Sequence, residues 1–224
     1  RFERPVYEEY PVIGMTSFIP AREPEEIRLI CLAGKSNSTH CHQDKGSLIL
    51  YRGGVQLLCD RGALAYNKAN GGAAALAQSH NLACPVTDAG YMTQKVGAGY
   101  SAPFKSSYEN GKFVWETDLS SLWDEALVKT HTRRVESEAD GSFTVTDAFE
   151  FLEPASAAVC YQLTAPEQIR IEAVSGIQTT EEDQDTLSCP HETGDGESET
   201  VYVRRFLTGR AEKVTAVTRI RALS

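Results

Sequence analysis

With 224 residues, 41% of them hydrophobic, the chain is long enough to bury one sizeable core, and all-β domains of this length often stay undivided; a single domain over 1–224 is expected. A formal net charge of −9 argues against a broad nucleic-acid surface or an anionic-membrane patch, both of which need clustered Lys and Arg. No apolar run is long enough to cross a bilayer and no basic-then-apolar leader opens the chain, so the expectation is a soluble protein that binds neither membrane nor nucleic acid, its compartment left open, with bacterial cytoplasm and periplasm both compatible.

The chain begins Arg1-Phe2-Glu3 without Met and reads as a processed product or as a piece of something longer. Alternating or β-branched apolar runs bounded by Gly, Asn and Asp then recur along it, at 27–32, 47–51, 55–59, 112–115, 142–146 and 159–163. Further runs follow at 169–174, 201–206 and 213–220, and all of them predict strands. Short helical turns are expected at 120–127 and within 71–77, irregular chain at 91–110, and an acidic surface loop containing His191 at 179–200. The fold class is therefore all-β, a large antiparallel β-sandwich with few short helices.

Six cysteines at 31, 41, 59, 84, 160 and 189 form no CxxC pair, so free thiols are expected; Cys31, Cys59 and Cys160 sit in apolar runs and belong in the core, and Cys41 also reads as packing. Chemistry concentrates elsewhere. Thr39-His40-Cys41-His42-Gln43-Asp44, followed by Asp60 and by His80-Asn81, gathers imidazoles and carboxylates of the kind that bind a borderline divalent ion, and imidazole also moves protons near neutral pH. The stretch 46–60 has the composition of a hairpin tipped by Gly53-Gly54. A three-residue turn would put Asp44 and Asp60 on one face, and a two-residue turn would put them on opposite faces. Asp44 and Asp60 could instead cap turns and His80 could bond a loop carbonyl, but the concentration of His40, His42, Asp44, Asp60 and His80 favours a site.

Three resemblances bear on that site. His40-Cys41-His42-Gln43-Asp44 is similar to the HxHxD element of metallo-β-lactamase-like hydrolases, although Lys45 and a hairpin follow it in place of a further His and a helix. Gly34 through His42 resembles the first half of a cupin motif without its Glu, which keeps a cupin-like metal enzyme as a distant alternative. The third resemblance covers most of the chain. Ile13 to Phe18, Ile27 to Gly34, Thr39 to Ser47, Gln56 to Tyr66, Ser79-His80-Asn81, Asp118-Leu119-Ser120, Thr132 to Val135 and Val145-Thr146-Asp147 follow the block order of the C-terminal β-sandwich domain of heparinase II/III-like polysaccharide lyases.

That third resemblance implies a lyase cleaving a uronic-acid-containing acidic polysaccharide by β-elimination, the sandwich working beside an N-terminal helical α/α-toroid domain. It implies His42 as base or carboxylate neutraliser, with Tyr66 facing substrate and His40 and Arg61 contacting it. Asp44, Asp60 and His80 would hold a divalent metal, zinc first and calcium as the alternative. Arg52, Arg61, Arg133 and Arg134 would supply a local basic rim. Without its helical partner the domain could be half of an active site, and the rival expectation is a noncatalytic carbohydrate-binding or structural sandwich.

Overall fold

The computed structural model describes residues 5–22, 24–36, 41–62, 73–187 and 199–223. Strands dominate them: β1 Tyr7–Tyr10, β2 Met15–Ala21, β3 Ile27–Leu32, β4 Gly34–Lys35, β5 Leu48–Arg52, β6 Val55–Leu58, β7 Ala83–Thr87, β8 Gly90–Tyr91 and β9 Ser101–Ala102. Then come β10 Phe104–Glu109, β11 Lys112–Asp118, β12 Val128–Ser137, β13 Phe143–Leu163, β14 Ile169–Ser175, β15 Ile177–Leu187, β16 Glu199–Thr208 and β17 Ala211–Ala222. The helical pieces are single 3₁₀ turns, at Ala73–Ala75, Ala77–Ser79, Ser120–Leu122 and Pro166–Gln168.

The 21-residue strand β13 organises the sandwich because it belongs to both layers. Its first half pairs with β12 and β17, extending one layer through β11 and β10 on one side and β14 on the other. Its second half pairs with β16 and β7, and touches β6 at Leu163, joining the layer that runs β1, β2, β3, β5, β6. Burial records the switch. From Phe143 to Phe151 every second residue is buried, the period of a sheet with one wet face, whereas Ala157 through Leu163 are buried on both faces.

Aromatic and branched side chains from the two inner faces fill the space between. Phe18 of β2 stacks on Phe113 of β11 with ring centroids 4.5 Å apart, and Trp115, Phe143, Leu29, Leu48 and Leu50 are fully buried around them. Gly14 and Gly34, both in the left-handed region, touch backbone to backbone at the sheet edge, where a Cβ on Gly14 would strike the Ala33 carbonyl.

Every strand expected from the sequence is present, with 142–146 and 159–163 fused into β13. Strands β1 and β7 fall where no strand is expected, and two polar stretches also differ. Residues 104–109, expected to be irregular, form β10, an edge strand whose Lys105 and Ser107 alternate on a wet face and so leave no apolar signature. The acidic stretch expected to be a loop from 179 onward is instead β15, paired with β16 through Leu187. Its carboxylates are matched across the ladder: Glu182 meets Arg204 at 2.7 Å and Asp183 meets Arg205 at 3.7 Å. His191 and Cys189 lie outside the described residues. Cys31, Cys59, Cys84 and Cys160 are buried, while half-buried Cys41 lies 3.2 Å from the Ser36 hydroxyl.

The basic rim is not formed. Arg52 pairs with Glu25 at 2.8 Å, Arg61 with Asp185, Arg134 with Glu116 and Glu136, and Arg133 is buried inside the sandwich. On the outer face of β10, β11 and β12 these pairs extend to a chain in which Lys105 and Arg134 flank Glu116, and Arg134 and Lys112 flank Glu136. Hydrogen bonds from Arg134 and Lys112 draw the Glu136 carboxyl down to about 2 from its ordinary 4.5. A depressed carboxylate stabilises the fold above its unfolded value, and the contribution fades as pH falls from 4.5 toward 2. Glu136→Gln is therefore expected to cost up to about 1 kcal/mol at pH 7. In urea melts the gap to wild type should close as pH approaches 2; an unchanged gap would contradict the assignment.

Candidate metal centre

Asn81 explains why the donors meet where they do. Strands β6 and β7 both run against one edge of β13 and leave a gap between them, and the Asn81 side chain fills it. Its amide donates to the Leu48 and Cys59 carbonyls at 2.8 Å each, and its oxygen accepts from the Gln162 N–H at 2.6 Å. Since Asp60 follows Cys59 and His80 precedes Asn81, this stitch brings the two side chains face to face. His80 Nδ1 lies 3.4 Å from Asp60 Oδ2.

His42 completes the group from a third segment. Its ring centroid is 5.4 Å from that of His80, and one donor atom from each of His42, Asp60 and His80 lies within 4.8 Å of the others. Neighbouring side chains fix the backbone of that segment. The Gln43 carboxamide oxygen accepts from the N–H groups of Ala77 and Gln94, and Gln94 exchanges hydrogen bonds with both backbone groups of Lys45, at 3.2 and 2.7 Å. The Ser47 hydroxyl accepts from the Asn81 N–H at 3.2 Å, joining the two loops.

Burial alone would raise the Asp60 carboxyl, but the opposing pull of His80, the Gly62 N–H at 2.7 Å and His42 holds it below the usual carboxylate range. It is an anion facing two imidazoles. His80 is fully buried, and neither of its ring nitrogens makes a hydrogen bond, an arrangement that costs stability unless something occupies them. Two imidazoles and a carboxylate are a donor set for a borderline divalent cation. The 3.4 Å between His80 and Asp60 also matches the edge of a tetrahedron of ligands about 2.1 Å from an ion. The residues present fit a metal.

The remaining expected residues are placed as follows. Asp44 stands outside the donor group, with Lys45 Nζ 3.1 Å from its Oδ1, so His42 occupies the position expected for Asp44. The hairpin turn is the two-residue one: Arg52 opposes Val55, and Gly53 and Gly54 both have positive φ. A bulge between Leu50 and Tyr51 then shifts the pairing, and the turn at Lys45-Gly46 ends it before Asp44, so face counting does not reach that residue. Arg61 is nearly buried and engaged with Asp185. His40 and Tyr66 lie outside the described residues.

A second polar group, inside the sandwich, escaped the sequence reading. The Trp123 indole N–H donates to His131 Nδ1 at 2.9 Å, which leaves the ring proton on Nε2, 3.1 Å from Asp147 Oδ1. Burial pushes the His131 pKa down against the pull of Asp147, keeping the ring neutral at neutral pH. Arg133 Nε is 3.3 Å from the same carboxylate oxygen. All four side chains are fully buried.

Comparison with known proteins gives the arrangement a family. Residues 9–222 match the profile described as "Heparinase II/III-like, C-terminal". The chain belongs to this family. Among solved structures, the heparan sulfate lyase HepC from Pedobacter heparinus superposes with a TM-score of 0.75 at 13% identity, over 99% of this chain and 37% of that one. A crystal structure of heparinase III gives 0.71 at 15% identity, over 94% of this chain and 36% of its own. At such identities the likeness speaks for the fold, and the chain spans little more than a third of these neighbours' length. A search of curated proteins found no match. Family membership displaces the cupin and metallo-β-lactamase comparisons. Among the described residues, no helix is long and apolar enough to cross a membrane.

Proposed function

We propose that this heparinase II/III-like domain is the β-sandwich part of a polysaccharide lyase acting on a uronic-acid-containing glycosaminoglycan, with zinc held by His42, Asp60 and His80. The observation that carries the reading is the convergence of those three side chains, from three separate segments, around a buried imidazole with no hydrogen bond. Zinc is favoured over calcium because calcium takes six to eight oxygens, whereas two of the three donors here are nitrogens. Bound there, the cation would lock the three segments together and place positive charge at the junction of β6, β7 and β13.

β-Elimination removes the C5 proton of the uronate, forms the C4–C5 double bond and expels the glycosidic oxygen, which takes up a proton. A ring nitrogen given to a cation has no lone pair left for proton abstraction, so His42 acts as donor rather than as base. The base role passes to His40, two residues earlier, and Tyr66 protonates the leaving oxygen. The solved neighbours are longer than the matched region, which leaves room for a further domain, and the helical α/α-toroid that the family resemblance implies would form the other wall of the cleft. Arg61 would reach substrate only by exchanging Asp185 for a sugar carboxylate or sulfate.

The test uses the full-length protein with heparan sulfate, chondroitin sulfate and hyaluronan, following ultraviolet absorbance of the unsaturated uronate product. One of these should be cleaved, and His40→Ala and Tyr66→Phe should each lower kcat by about 10²-fold or more. Binding without turnover on every substrate would favour a noncatalytic carbohydrate-binding sandwich.

A further inference from the structure

We propose that Arg133, a residue of the sandwich interior, is the positioning residue that holds the donor-bearing loops of the cation site from beneath. The proposal rests on the site described above. Arg133 extends from β12 across the core, and its Nη1 donates to the carbonyls of Gly46 and Asn81, both at 2.8 Å. One acceptor lies in the turn that ends the His42 segment, and the other belongs to the residue next to His80. A single nitrogen thus ties together the two loops that contribute both imidazoles. Gly46 suits this role: its φ is +92°, and a Cβ there would press on Leu119, so only glycine turns its carbonyl toward the guanidinium.

The cost of this device is visible. Arg133 and Asp147 are fully buried, and Nε and Nη2 of the arginine and Oδ2 of the aspartate make no hydrogen bond. Apolar residues of similar volume commonly replace such a pair without loss of stability. Packing therefore gives no reason for a guanidinium here, while two carbonyls aimed at one nitrogen do. Outer groups that orient metal ligands typically change metal affinity by about 10–100-fold when removed.

The experiment compares wild type with Arg133→Met/Asp147→Leu, which removes both charges together, and with Arg133→Lys, which keeps a charge in the interior but whose shorter side chain ends short of the two carbonyls that Nη1 reaches. Zinc affinity is measured by chelator competition, and melting is measured on the zinc-free proteins. The double variant, which leaves the His131 Nε2 proton without an acceptor but no unpaired charge, is expected to stay folded and to melt above Asp147→Ala when zinc-free, yet to bind zinc about 10–100-fold more weakly than wild type. Arg133→Lys should weaken binding in the same direction. A purely structural role would leave zinc affinity alone, whatever the change in zinc-free melting. Unchanged affinity in either folded variant, or failure of both to fold, would overturn the proposal while the zinc site stands; absence of zinc binding by wild type would overturn both.

Discussion

Adding zinc to the metal-free protein is expected to raise its melting temperature by about 8–16 °C at a thousandfold excess over the dissociation constant. A ligand bound only to the folded state contributes about 4 kcal/mol at that excess, and for a chain of this size each kcal/mol moves the midpoint by about 2–4 °C. The source of that free energy is the donor cluster, where His80 is buried with neither ring nitrogen hydrogen-bonded and Asp60 is kept ionised by its surroundings. Asp60→Asn is the cleanest probe, because asparagine keeps an acceptor for the Gly62 N–H while losing the charge that a cation needs. The zinc-induced shift should vanish in Asp60→Asn and in His42→Ala, with only small changes in the zinc-free proteins. Asp44→Asn should leave the shift intact. A reversed outcome, with Asp44 essential and His42 dispensable, would return the site to the ligand set expected from sequence.

Deleting one member of the interior charge pair is expected to cost far more than deleting both. In Asp147→Ala the Arg133 guanidinium stays buried without its counter-charge, and the Nε2 proton of His131 loses its acceptor. Breaking a buried pair from one side typically destabilises by about 3–5 kcal/mol, which urea unfolding would read directly as a lower midpoint. Trp123 and Phe149 pack against the same imidazole, Phe149 with ring centroids 3.7 Å apart, so the loss should also appear as a changed near-ultraviolet aromatic signal. A cost below about 1 kcal/mol, as for an exposed pair, would mean that water reaches this part of the interior.

Much of the architecture was legible because strands with one wet face carry a period-two signature, as in β3, β5, β13 and β17. What was missed had no such signature. Strand β15 is held by carboxylates opposite Arg204 and Arg205, so its sequence reads as a polar loop until its partner is known. The site was half legible: block order singled out His42, Asp60 and His80-Asn81, but proximity in sequence could not separate His42 from Asp44, which would share a face in extended chain. A bend at Gln43, between the two, takes the chain out of the extended form. Arg133 was misread as rim because an arginine in an alternating strand is ordinarily outward. In β12 the alternation itself held the signal: His131, Arg133 and Val135 share one parity, and Val135 is core.

Anomalous scattering from zinc in crystals of the protein tests the central claim most directly. The account predicts one peak bonded to ring nitrogens of His42 and His80 and to an Asp60 oxygen, at about 2.0–2.2 Å from each. A peak coordinated by Asp44 without His42, or no peak at this junction of β6, β7 and β13 in zinc-saturated crystals, would contradict it.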